Sequence, residues 1–111
     1  MGHPGLKEGA KNDRRLGRLW QQRQELAREL REYEGKPWAW DEQRVDAKSA
    51  RLEALDDRIL AAEARTLDEG FLQIRTTLAS YEFGGRDFES AMADITRIVD
   101  RLEALAGRAT A

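Results

Sequence analysis

Apolar residues recur at alternating spacings of three and four through the first third of the chain. The series, which has a single charged member, is Leu16, Leu19, Arg23, Leu26, Leu30 and Tyr33. This heptad spacing is typical of an amphipathic helix with a narrow apolar seam. It favours a fold built from packed helices.

The first helix has recognisable limits in the sequence. Asp13 is a suitable N-cap, because its carboxylate accepts hydrogen bonds from free backbone amides. Gly35 and Pro37 end the helix, since the first tolerates a left-handed conformation and the second cannot continue the hydrogen-bond ladder. Residues 1–12 hold three glycines and a proline without periodicity. We therefore expect a flexible arm over 1–12 and a single helical domain over 13–111.

A second apolar series predicts a helix that begins near Pro37. Its members are Val45, Lys48, Leu52, Leu55, Ile59, Ala62 and Thr66. A third series has the same spacing but is displaced by one residue: Leu67, Phe71, Ile74, Leu78 and Tyr81. Either the helix breaks near residues 66–70, or one helix of roughly 60 Å continues with a shifted stripe. We expect the continuous helix, with a weak point near residues 66–70.

Residues 81–88 alternate aromatic and charged side chains around Gly84 and Gly85. This pattern fits either a tiny β-hairpin or a helix–loop–helix turn. A last helix follows from Phe88 or Ser90 to Ala106, with Gly107 as its stop. The predicted fold is therefore all-α. It consists of an antiparallel, coiled-coil-like helical hairpin followed by a shorter helix–turn–helix, with the β-hairpin at 81–88 left open.

The composition argues against catalysis. The chain has 111 residues, no cysteine and a single histidine, His3. Disulfides, thiolate metal sites and histidine-based triads are therefore not expected. Adjacent carboxylates such as Asp56 and Asp57 diverge by about 100° on a helix, so we expect solvated faces rather than metal or acid–base pairs. No apolar run reaches the roughly 18 residues of a membrane span. We expect a non-enzymatic, cytoplasmic protein without cofactor, metal or membrane partner.

The start of the chain is basic. Residues 1–24 hold six basic and two acidic side chains, a net charge of +4 in a chain of net charge −2. A basic segment on an acidic body can contact phosphates. An alternative function is therefore a small helical regulator or packaging factor that contacts nucleic acid through residues 7–23. The candidate contacts are Lys7, Lys11, Arg14, Arg15 and Arg18.

Two tryptophans, Trp38 and Trp40, bracket an alanine at the tip of the first hairpin. One interpretation has one indole sealing the hairpin over Trp20 or Tyr33 and the other exposed for a partner. The other has both indoles folded onto the helix ends. The candidate partner contacts are Trp38, Trp40, Tyr81, Phe83 and Arg86.

Long helices with narrow stripes bury little surface in a monomer of this size, so self-association is expected. The predicted homo-oligomer seam comprises Leu16, Leu19, Leu26, Leu30, Val45, Leu52, Leu55, Ile59, Phe71, Ile74, Leu78, Ile95, Val99 and Leu102.

Two segments resemble assembly proteins of tailed phages. Residues 71–105, with a helix, a Gly84–Gly85–Arg86 turn and a second helix, are similar in layout to the head–tail joining family. Residues 26–63 resemble helical scaffolding segments at the start of capsid precursors. These resemblances imply a ring-forming or capsid-associated structural subunit that carries out no chemistry. Its partner would be a virion or assembly component, and its location the virion.

Overall fold

A computed structural model describes residues 4–110 of the chain, with side chains described for 15–36 and 38–108. Within these residues there are four α-helices, one short 3-10 turn and no strand, so the all-α prediction is confirmed. The elements are α1 (Pro4–Gly35), the 3-10 turn (Pro37–Ala39), α2 (Glu42–Ala61), α3 (Leu67–Glu82) and α4 (Phe88–Thr110).

Two helices are longer than the sequence predicts. α1 begins at Pro4 rather than at Asp13, so the expected arm is helical from Pro4, and residues 1–3 lie outside the described part. Proline is tolerated in a first helical turn, where its missing N–H has no intrahelical acceptor. α4 runs past Gly107 to Thr110. An isolated glycine costs a helix only about 1 kcal/mol, so it does not necessarily end one.

The connection between α1 and α2 holds the 3-10 turn, in which the Ala39 amide donates to the Lys36 carbonyl at 2.9 Å. α2 therefore begins at Glu42, after the position predicted from Pro37. Its N-cap is Asp41, whose carboxylate accepts from the amides of Gln43 and Arg44. The capping carboxylate satisfies donors that have no intrahelical acceptor, which fixes the start of the helix.

The continuous helix expected through residues 66–70 is wrong: α2 ends at Ala61 and α3 starts at Leu67. Thr66 caps α3 by accepting from the Glu69 amide at 3.2 Å. The Glu69 carboxylate accepts in turn from the Arg65 amide at 2.8 Å. A threonine followed three residues later by glutamate is a helix-start signature in the sequence, although here the glutamate accepts from the amide one residue before the cap.

Of the two interpretations of residues 81–88, the helix–loop–helix turn is correct. The Gly84 amide donates to the Tyr81 carbonyl at 3.0 Å, and Gly84 has a φ of 77°, a conformation that favours glycine. Asp87 then caps α4 by accepting from the Ser90 amide at 2.7 Å. This hydrogen bond holds the pKa of Asp87 below its usual value.

α1 and α2 pack together as an antiparallel hairpin, α3 packs on both of them, and α4 packs mainly on α3. The apolar core lies between the first three helices and contains Leu16, Leu19, Leu26, Ala27, Leu52, Leu55 and Ile59. The molecule is flat, with extents of 56 × 40 × 18 Å. Its radius of gyration is 16.5 Å, against about 13 Å for a compact domain of this length.

Candidate protein-interaction face

α3 packs with its polar side inward. Its buried residues are Glu69, Gly70, Gln73, Thr76, Thr77 and Ser80. Its apolar stripe points outward instead, with Leu67, Phe71, Leu78 and Tyr81 between 40% and 54% exposed and Ile74 half-buried. A helix normally buries its apolar stripe. This stripe is left without a partner in the chain.

The inward polar side of α3 is matched to the end of α2. The Gln73 amide nitrogen donates to the carbonyls of Ile59 at 2.9 Å and Ala62 at 2.6 Å. These carbonyls belong to the end of α2, where helix geometry leaves acceptors unpaired. Thr76 and Thr77 donate to carbonyls one turn back in α3 itself. The polar side of α3 thus satisfies the helix junction, and its apolar side cannot face α2 at the same time.

α4 differs on its inner side, where Ala91 and Ile98 are buried at 4% and 1% exposure, but part of its apolar stripe is likewise exposed. Phe88, Met92 and Val99 are 63%, 45% and 37% exposed, and Ile95 and Leu102 are half-buried. Its polar side turns toward the α2–α3 connection. There Arg97 donates to the Leu60 carbonyl at 3.0 Å, and Arg101 donates to the Ala64 carbonyl at 2.8 Å.

The two apolar stripes lie on the same side of the α3–α4 hairpin. The rings of Tyr81 and Phe88 meet edge to face at 6.2 Å at one end. At the other end α3 and α4 approach closely at Gly70, where a Cβ would overlap Leu102. These contacts set an antiparallel register for the two helices. We call this surface the outer face: Leu67, Phe71, Ile74, Leu78, Tyr81, Phe88, Met92, Ile95, Val99 and Leu102.

The flat shape leaves the chain with excess surface. Its accessible area is 8051 Å² for a mass of 12.7 kDa. A compact monomer of that mass exposes about 6,200 Å². The excess of about 1,800 Å² is larger than the roughly 800 Å² that each partner contributes to a standard protein–protein interface. Large exposed apolar side chains grouped on one surface, as on the outer face, are typical of a protein-interaction site.

The predicted self-association seam divides into two groups. Leu16, Leu19, Leu26, Val45, Leu52, Leu55 and Ile59 are buried within the single chain, and Leu30 is half-buried beside them. These residues pack against one another, so they have no surface to offer to a second copy. The remaining six, Phe71, Ile74, Leu78, Ile95, Val99 and Leu102, all lie on the outer face.

The residues predicted to contact a partner differ in their exposure. Trp38 and Trp40 are 82% and 49% exposed, Phe83 is 47% exposed, and Tyr81 lies on the outer face. Arg86 is not available to a partner, because it is largely buried. It pairs with Asp57 at 2.8 Å and Asp94 at 3.1 Å, which ties the turn to α2 and α4.

Neither indole seals the hairpin tip over Trp20 or Tyr33. Those rings lie near cations of the chain itself: the Arg23 guanidinium is 5.7 Å from the Trp20 ring, and the Lys48 ammonium is 5.1 Å from the Tyr33 ring. With both tryptophans exposed, the tip is a second aromatic surface, at the end of the molecule where α1 turns into α2.

A buried ion pair was not predicted from the sequence. Arg23 Nε donates to Asp56 Oδ1 at 2.6 Å, and both side chains are about 3% exposed. Burial raises the pKa of Asp56, and the Arg23 charge opposes that rise. The prediction that adjacent carboxylates lie on solvated helix faces is therefore wrong for Asp56. It is also wrong for Glu69, whose buried carboxylate accepts a hydrogen bond at the start of α3. The sequence does contain one signal for this ion pair: Arg23 is the charged member of the otherwise apolar heptad series of α1.

The basic candidates for nucleic-acid contact are only partly described. Arg15 and Arg18 are exposed on α1. The side chains of Lys7, Lys11 and Arg14 lie outside the described residues. Arg23, which contributes to the basic count of residues 1–24, is buried against Asp56 and cannot reach a phosphate.

Among the residues with described side chains, no group of histidine, cysteine or carboxylate residues is placed to hold a metal ion. In the same part of the chain, no helix is both long enough and apolar enough to cross a membrane. Comparison of the chain with protein-family models, curated proteins and solved structures finds no match.

Proposed function

We propose that this chain is a non-enzymatic, self-associating assembly subunit whose copies pack together through the outer face. The observation that carries the proposal is the apolar outer face itself, turned away from the chain's own core. Leaving large apolar side chains in water is unfavourable by roughly 25 cal/mol per Å². Covering them with a second copy removes that cost.

The two-helix shape of the outer face suits a symmetric pairing. Two α3–α4 hairpins brought together by a two-fold axis present the same surface to each other. The product is a four-helix bundle with Phe71, Leu78, Met92 and Val99 in its interior, a common way for amphipathic helices to bury narrow stripes. The polar sides of α3 and α4 keep their present contacts with α2 in this arrangement.

The setting we propose for the subunit is virion assembly, in head–tail joining or in a capsid- or packaging-associated role. Support comes from the sequence resemblance of residues 71–105. That segment comprises most of α3, the turn and most of α4, so it also carries most of the outer face. A virion or assembly component is the protein partner that this proposal implies.

Absolute mass by size-exclusion chromatography with light scattering tests the proposal. The test variant is Phe71→Asp, which places a charge on the outer face at a residue that is 54% exposed. The matched control is Ala54→Asp, which adds the same charge at an exposed position on α2. We expect wild type and Ala54→Asp to be dimers or larger, and Phe71→Asp to have the monomer mass of 12.7 kDa.

Circular dichroism of all three proteins establishes that the helices are retained. A wild-type chain that stays monomeric at hundreds of micromolar would contradict self-association. A Phe71→Asp variant that remains oligomeric while Ala54→Asp dissociates would place the contact elsewhere on the molecule.

A further inference from the structure

The tip between α1 and α2 combines exposed aromatic rings with negative charge. Trp38 is the most exposed of the large hydrophobic residues in the described part of the chain, at 82%, and Trp40 is half exposed. Residues 32–46 hold five acidic and two basic side chains, a net charge of −3. Indole faces attract guanidinium and ammonium groups, and nearby carboxylates strengthen that attraction. The tip is therefore suited to a cationic partner.

The other end of α1 has the opposite charge. Residues 1–24 carry a net charge of +4, of which +3 remains when Arg23, buried against Asp56, is left out. Arg15 and Arg18 are exposed and stand one turn apart on α1. Neither has an ion-pair partner among the residues whose side chains the structure describes. The chain thus carries an unpaired basic surface on α1 and an acidic aromatic tip beyond the opposite end of that helix.

These two surfaces cannot meet within one molecule. Arg18 and Gly35 belong to the same continuous helix, so they are held about 26 Å apart along its axis at 1.5 Å per residue. The tip extends farther in the same direction, beyond the end of α1. Any pairing between the basic surface and the tip must therefore join two copies of the chain.

We propose that the Trp38–Trp40 tip of one copy receives the Arg15–Arg18 surface of a second copy, in a head-to-tail contact. This proposal rests on the proposed function, since it adds a second kind of contact to the self-associating subunit. The outer face pairs copies symmetrically, whereas the tip joins two different surfaces. A head-to-tail contact propagates and generates rings or filaments, which a symmetric pair alone does not do.

Sedimentation velocity at two salt concentrations tests the contact on the intact chain. Pairing between exposed charges weakens strongly by about 1 M salt, where the Debye length is about 3 Å. We expect wild type to form species larger than a dimer at low salt and to return to the outer-face dimer at high salt. Trp38→Ala should be a dimer under both conditions.

Charge reversal provides a matched pair of variants on α1. Arg15→Glu combined with Arg18→Glu removes the basic surface and should limit assembly to the dimer at low salt. Arg28→Glu combined with Arg31→Glu changes the same charge at exposed positions on the same helix. These two positions lie next to the tip and make it more acidic, so this control should still form the larger species.

The outcomes separate the two proposals. A wild type that is a dimer at both salt concentrations overturns the head-to-tail contact and leaves the outer-face pairing in place. A wild type that is a monomer at both overturns the contact and the proposed function together. Larger species that survive Arg15→Glu with Arg18→Glu, or that survive Trp38→Ala, overturn the tip contact specifically.

Discussion

The two hairpins of this molecule share the same heptad spacing, but their apolar stripes differ in whether they face the core or the solvent. In the α1–α2 hairpin the apolar seam faces inward, and leucines from both helices form the core together with Ile59. In the α3–α4 hairpin, α3 turns a polar side inward, as at Gln73, α4 buries Ala91 and Ile98, and the rest of the apolar stripe is exposed. A heptad pattern thus identifies the stripe that must be covered. It does not say whether the cover comes from the same chain or from another.

Within the first hairpin, the interior tolerates a charge only because that charge is paired. Arg23 occupies a seam position and pairs with Asp56 at 2.6 Å in a nearly dry environment. In the second hairpin, the buried Gln73 and the more exposed Arg97 and Arg101 instead donate to backbone carbonyls of α2 and of the α2–α3 connection. The first hairpin is therefore expected to be sensitive to apolar-to-charged changes in its seam, whereas the second is expected to tolerate them on its outer face.

The largest expected effect is that of Ile59→Asp, at a position with 0% exposure. The change removes core packing and buries an unpaired charge, so we expect a loss of about 4 kcal/mol or more and an unfolded chain. Circular dichroism measures the loss of helix. The same substitution on the second hairpin, Phe71→Asp, should leave the helical signal unchanged. If both variants unfold, the two hairpins do not differ in their tolerance of a charged side chain on the apolar stripe.

Arg23→Met should be the next most damaging change. It leaves the buried Asp56 carboxylate without its cation, which typically costs about 3–5 kcal/mol. Burial already raises the pKa of Asp56, and the loss of Arg23 raises it further. A raised acid pKa favours the folded state below that pKa, so the deficit should be largest at neutral pH and shrink on acidification. Urea unfolding at neutral and mildly acidic pH measures both effects.

The double variant Arg23→Met with Asp56→Leu is the control for this prediction. It replaces the pair with apolar side chains and should recover most of the lost stability. If Arg23→Met is as stable as wild type at neutral pH, the pair does not have the buried role assigned to it.

Gln73→Leu should have an intermediate effect and tests the polar interior of the second hairpin. The change leaves the Ile59 and Ala62 carbonyls without the Gln73 donor. An unsatisfied buried acceptor costs about 1–3 kcal/mol, although leucine is the more apolar residue. Thermal unfolding of Gln73→Leu and Gln73→Glu, neither of which donates to both carbonyls, measures this loss. A gain in stability for Gln73→Leu would show that the polar inner side of α3 does not stabilise the fold.

Asp87→Ala should have the smallest effect. Asp87 caps α4, and the Ser90 amide lowers its pKa. A depressed acid pKa contributes stability above the ordinary pKa of the group, and that contribution is lost as the pH falls through the depressed value. The variant should melt slightly below wild type at neutral pH and together with it in strong acid. A difference in melting temperature that persists in strong acid would contradict the capping role.

Two of the helix limits follow from the sequence because they depend on local signals: Gly35 ends α1, and the Gly84–Gly85 pair marks the last turn. The starts of α1 and α2 and the end of α4 differ from the prediction. The break before α3 also has a local signal, Thr66 followed by Glu69, which competes with the continuous apolar spacing through residues 66–70. Capping groups compete directly with helix propagation, and here they determine where the helix is interrupted before α3.

The inverted orientation of α3 could not be predicted in the same way. The one-residue displacement of its stripe indicates a rotation relative to α2, but not which side of the helix turns inward. That choice depends on the carbonyls at the end of α2, which attract Gln73, and on the close approach of Leu102 to Gly70. Both are tertiary contacts between distant residues, as is the pairing of Arg23 with Asp56.

The most direct test of the central claim is hydroxyl-radical footprinting of the wild-type chain at low and high protein concentration, in high salt. Phe71, Tyr81, Phe88 and Met92 are reactive, exposed side chains of the outer face, and Trp38 at the tip is an internal reference. We expect the four outer-face residues to become protected as the concentration rises while Trp38 stays reactive. Equal reactivity of the outer face at both concentrations would show that copies of the chain do not pair through it.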